Sequence, residues 1–79
     1  MFHKIVKLKT LPDYMLYAEF DDGVIKTYNI GSLFDKFPVF QALQNKNLFS
    51  LAKIDVGGYG VAWNDEIDID AQEIYVNGK

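Results

Sequence analysis

Four carboxylates fall within the six residues Asp65-Glu66-Ile67-Asp68-Ile69-Asp70, close enough together to do chemistry. Glu66, Asp68 and Asp70 stand at i, i+2 and i+4, the spacing that opens a calcium-binding loop and wraps oxygen ligands around a hard cation. The rest of such a loop is missing. Counted from Glu66, the sixth place, where a sharp turn needs Gly, is Ala71, and the twelfth, where a bidentate Glu belongs, is Asn77. Read as a strand, the same letters turn Ile67 and Ile69 inward and the three acids outward, where like charges guard an exposed edge against unwanted strand pairing. A contact surface for a protein partner therefore uses these residues best, formed by Trp63, Asp65, Glu66, Asp68 and Asp70. Tyr17, an aromatic on the outer face of a second strand, joins them as a candidate contact. A small-ligand or metal-binding segment over residues 63–70 is the alternative.

Other chemistry finds less support. Gly57-Gly58-Tyr59-Gly60 is rich enough in glycine to cradle a phosphate, but a phosphate loop opens a helix, whereas here the strand-like Val61-Ala62-Trp63 follows. The glycines predict a hairpin turn instead, where they supply positive φ. The single His3 sits near a chain end, and the two serines, Ser32 and Ser50, read as polar residues of short helices. With no paired base and nucleophile, the chain is expected not to be an enzyme, and no cofactor is expected.

Composition narrows the class. The chain has 79 residues, 49% of them hydrophobic and 15% aromatic, which fits one domain near the lower limit for a self-sufficient core. A marginal core makes a protein partner or a homodimer an expected source of added stability. All eight basic residues are Lys, against eleven Asp and Glu, for a formal charge of −3, the wrong sign for steering toward phosphate backbones. Direct nucleic-acid binding is not expected. Zero cysteines leave no disulfide framework, and no apolar run or leader points to a membrane, so a cytoplasmic location is expected.

The elements that must position these residues follow from periodicity. Residues 14–29, YMLYAEFDDGVIKTYN, read as a hairpin about Asp22-Gly23, with Leu16, Ala18 and Phe20 on the core face. A two-residue turn would set Phe20 opposite Ile25, and a bulged three-residue loop would set it opposite Val24; the first is preferred. Residues 2–11 form the strand before it, with Val6 and Leu8 on one side and Lys7 and Lys9 on the other, ended by Pro12-Asp13. Ser32 and Asp35 resemble a capping box, Pro38 suits the first position of a helix with Val39, Phe40 and Leu43 as its apolar stripe, and Asn45 or Asn47 caps a helix burying Leu48, Phe49, Leu51 and Ala52. Residues 53–56 and 61–63 make a second hairpin, and Asp70 caps a last turn through Gln72, Glu73 and Ile74, with Tyr75 closing the core. The fold class is α+β in a single domain over residues 1–79. A small antiparallel sheet, built as a meander of three N-terminal strands plus a C-terminal hairpin, packs against two or three short helices.

Three blocks in succession, LPDYMLYAEFDDGVIKTYNI, FPVFQALQNKNLFSLAKID and VAWNDEIDIDAQEIY, resemble the bacterial domain of unknown function 2442 across essentially the whole chain. The resemblance implies a compact cytoplasmic α+β domain of bacteria or phage and no activity. In that family the last block usually reads Trp, then proline or a polar residue, then Asn-Gly, and later Asp-Ile and often Pro. Trp63, Asp68 and Ile69 match, while Glu66 stands where Gly is usual and Ala71 where Pro is common. Some relatives carry an added helix-turn-helix, or lie beside another small gene in an arrangement similar to toxin–antitoxin pairs. This chain is expected to lack that extra domain and to serve as the acidic, antitoxin-like partner in such a pair.

Overall fold

The computed structural model describes residues 3–79, so Phe2, expected in the first strand, lies outside the described residues. Strands β1 (Ile5–Leu11), β2 (Met15–Phe20) and β3 (Ile25–Asn29) form an antiparallel meander in that spatial order. Leu16, Ala18 and Phe20 point into the core from the central strand, as alternation requires. Between β1 and β2, Pro12–Tyr14 makes a tight turn with Asp13 and Tyr14 both at positive φ. The Tyr14 hydroxyl donates to the Gln44 carbonyl, which anchors its ring against Phe34 and Phe49.

The expected two-residue turn between β2 and β3 is corrected to a three-residue loop. Gly23 N–H donates to the Phe20 carbonyl at 3.0 Å, Phe20 N–H donates to the Val24 carbonyl at 2.9 Å, and Glu19, not Phe20, pairs with Ile25. Gly23 takes φ +88°, and the Asp22 carboxylate accepts from Val24 N–H at 3.0 Å, the geometry of a turn followed by a bulge. A second bulge corrects the first strand. Ile5 pairs with Phe20 and Lys7 with Glu19, so Val6 is the extra residue and is 60% exposed instead of sharing Leu8's face.

The middle of the chain is a layer of short helical pieces. Ile30–Leu33 and Pro38–Gln44 are 3-10 turns, and α1 (Lys46–Phe49) is capped by Asn45, whose side chain accepts from Asn47 and Leu48 N–H. Ser32 does not cap: it lies inside its turn and donates to the Asn29 carbonyl at 2.7 Å. Three residues per turn put Phe40 and Leu43 on one buried line and rotate Val39 to the surface, and Leu51, beyond the end of α1, is also exposed.

The C-terminal part holds more sheet than a hairpin. Strands β4 (Lys53–Ile54), β5 (Gly60–Ala62) and β6 (Asp68–Asp70) form a second antiparallel sheet with β5 in the centre, followed by α2 (Ala71–Asn77). The structure is thus two small three-stranded sheets with short helices around one core that includes Leu16, Phe20, Ile30, Leu43, Val61 and Ile74. Thr27 and Lys79 exchange backbone hydrogen bonds of 3.0 and 2.8 Å, which docks the C-terminal tail on the open edge of β3.

Candidate functional site

The acidic segment is placed by a turn that its own residues build. Asn64 accepts from Glu66 and Ile67 N–H at 2.8 and 2.9 Å, and Trp63 N–H donates to the Ile67 carbonyl at 2.9 Å, so Asp65 and Glu66 stand at the exposed tip. Ile67 and Ile69 are buried, while Asp68 and Asp70 face solvent from β6, an edge strand. Asp70 also accepts from Gln72 N–H at 3.1 Å and so starts α2.

Across β5 the glycines complete the site. Gly57 and Gly58 adopt φ +80° and +84°, which folds the chain back so that Gly60 pairs with Asp70 and Asp55 N–H donates to the Gly60 carbonyl at 2.9 Å. Gly60 lets β6 approach closely, since a Cβ there would sit 3.0 Å from the Ile69 carbonyl oxygen. The result is a shallow groove of about 660 Å³ lined by Asp55, Tyr59, Gly60, Asp68, Ile69 and Asp70. The half-exposed Tyr59 ring lends apolar surface beside three carboxylates. Lys4 Nζ lies 5.5 Å from the centre of the Tyr59 ring. Among the described residues the ion pairs are His3 with Asp22 and Lys7 with Glu19, so Asp55, Asp65, Glu66, Asp68 and Asp70 have no cation partner.

The structure brings together Asp68 and Asp70 and sets Asp65 and Glu66 on the adjoining turn, but it separates the two aromatics from them. Trp63, expected as a contact residue, is a correction. It is 4% exposed, its indole N–H donates to the Phe49 carbonyl at 3.0 Å, and its ring packs on Phe40 and Phe49 because so small a core needs its largest side chain inside. Tyr17 lies on β2 of the other sheet, where its hydroxyl donates to Glu19 at 2.6 Å and its pKa is raised by that bond. Asp55 and Tyr59 were not singled out by their local pattern. The glycine cluster that reads as a hairpin was the available signal, since closing it folds Asp55 back toward β6. Among the described residues no three His, Asp or Glu side chains converge to hold a metal ion, and no helix is long and apolar enough to cross a membrane.

Two three-stranded antiparallel sheets sharing a core with short helices define a small α+β domain that displays an acidic edge. The model of a family described as "Protein of unknown function (DUF2442)" matches residues 5–79, and the chain belongs to that family. No curated protein matches it. Among solved structures, a protein of Nitrosomonas europaea named as a candidate DNA-binding protein superposes with a TM-score of 0.80 at 21% sequence identity, over 95% of this chain and 48% of that one. At that identity the likeness shows the fold, and this chain spans about half the length of the N. europaea protein.

Proposed function

We propose that this domain is a protein-docking module that acts without catalysis and offers the acidic groove to a basic segment of a partner. Five carboxylates around one groove and its adjoining turn, none with a cation partner among the described residues, are the observation that carries the reading. Charges left unpaired on a rim raise association rates for a complementary partner and lose that effect as salt screens them. Asp68 and the tip residues Asp65 and Glu66 supply the charge, and Tyr59 supplies apolar area. The role is that of the acidic, antitoxin-like partner in a two-protein unit, in a reducing compartment such as the cytoplasm that suits a chain without cysteine. The test is affinity capture from native lysate at low and high salt, repeated with D65K/E66K. One stoichiometric basic protein, lost at high salt and lost with the variant while its melting temperature is unchanged, supports the reading. Capture indifferent to both overturns it.

The name of the N. europaea protein favours a second reading, in which the domain works beside DNA. At a charge of −3 this chain would reach DNA through its partner and not by its own surface. Fluorescence anisotropy of a labelled duplex at low salt separates the two routes: no binding by the domain alone and binding by the captured complex is the expected pattern.

A further inference from the structure

A second concavity, of about 730 Å³, lies between β3, the turn after it and α2. Its volume is in the range of pockets that hold small ligands. Glu73 of α2 lines it, and both recorded hydrogen bonds to its carboxylate are neutral: the Tyr28 hydroxyl donates at 2.9 Å from β3 and the Asn77 amide at 2.8 Å, both to Oε2. These two donors fix the carboxylate's position without neutralising it. Lys36 and Lys79 line the same cleft, and neither has a carboxylate partner among the described residues. Met15, Leu33 and Phe37 add apolar lining. One carboxylate and two lysines, none ion-paired among the described residues, beside an apolar surface are complementary to a molecule that carries an amine at one end, a carboxylate at the other and apolar groups between. We propose that this cleft binds a short apolar peptide with both ends free, of di- or tripeptide size, its amine on Glu73 and its carboxylate toward Lys36.

The site is independent of the acidic groove and stands whether or not that groove docks a protein. It is tested by titrating leucyl-leucine, N-acetyl-leucyl-leucine and leucyl-leucine amide into the labelled domain and following amide NMR shifts. Saturable shifts at Tyr28, Leu33, Phe37 and Asn77 with the free dipeptide are expected, weakened about tenfold when either end is blocked, since each block removes a charge-assisted contact. E73Q keeps an acceptor for Tyr28 and should match the effect of acetylation; because the blocked peptides test wild-type protein, the result does not depend on that variant folding. No saturable shift, or equal affinity for all three peptides, overturns the proposal.

Discussion

The two sheets carry the same number of strands and hold together by different means. In the first, strands of seven, six and five residues are joined by tight turns, and the central strand buries every second side chain, so ladder and core are local in sequence. In the second, strands of two, three and three residues have few ladder bonds of their own. What holds them is clamping from outside: Trp63 against Phe49, Asn64 closing its turn, and Gly58 laid against the backbone of Ile5. A sheet that depends on neighbours opens at lower free energy than one with its own ladder, and surfaces that bind are commonly drawn from that end of the stability range. The acidic groove lies on the clamped sheet.

The largest expected effect tests whether the first sheet governs the second. Leu16→Ala removes a fully buried side chain from the central strand and should cost roughly 2–5 kcal/mol, a large share of what so small a domain has. Trp63, the single tryptophan, reports on the second sheet by fluorescence while far-UV circular dichroism reports on the whole. Both signals should move together in a urea titration. If Trp63 kept a separate, unshifted transition, the second sheet would be self-supporting and the contrast would fail.

A glycine pair sharpens the same contrast. Gly23 and Gly58 have nearly the same φ, +88° and +84°, so alanine is strained at either by about 1 kcal/mol. A Cβ on Gly23 would meet nothing within 4 Å, but on Gly58 it would sit 2.9 Å from the Ile5 carbonyl oxygen. Gly58→Ala should therefore cost roughly 3 kcal/mol, strain plus overlap, against about 1 for Gly23→Ala. Equal losses in chemical denaturation would mean that β1 yields easily and does not clamp the second sheet.

How much of this was legible in the sequence depended on whether a residue's partner was near in the chain. The core face of β2, the Asn45 cap and the Asp70 cap are set by alternation or by side chains reaching two or three residues, and they were readable. The length of the loop at Asp22 is not legible, because Asp-Gly serves both loop lengths and only the pairing of Glu19 with Ile25 distinguishes them. The burial of Trp63 is not legible locally, because the carbonyl that receives its N–H is on Phe49, fourteen residues away. Asp55 and Tyr59 enter the groove through the hairpin's register, and the Glu73 cleft through a bond spanning 45 residues.

That long bond makes a third prediction, on the tie between the first sheet and α2. Burial first, and then the hydrogen bond to Glu73, push the Tyr28 phenol up to about 12 from its usual 10.0. A raised phenol pKa means the folded state favours the neutral form, so this stability is complete below pH 10 and is lost as pH rises from 10 toward 12. The loss should be about 2 kcal/mol, followed by thermal melts across that window. Tyr28→Phe should remove much of the slope while leaving the domain folded.

The smallest effect lies at the other end of the pH scale, in the loop that leads into β3. Asp22 accepts first from Val24 N–H and then from the Tyr75 hydroxyl at 2.8 Å, with His3 Nδ1 at 3.5 Å, and these contacts hold its carboxyl below the usual 3.8. A depressed carboxyl pKa stabilises the fold above the ordinary value and stops doing so as pH falls through the folded one, so the loss begins near pH 4 and continues below it. Asp22→Asn keeps an oxygen for Val24 N–H but carries no charge, and should flatten the acid limb; because the Asp22 carboxylate also raises the Tyr75 phenol pKa, the substitution should trim the alkaline limb less than Tyr28→Phe does. The same substitution should spare Trp63 fluorescence at neutral pH, because among the described residues the Asp22 side chain ties the first hairpin to α2 and His3, not to the clamped sheet. A variant that lost acid dependence and also loosened Trp63 would show that the two sheets communicate through α2 as well as through the Gly58 contact.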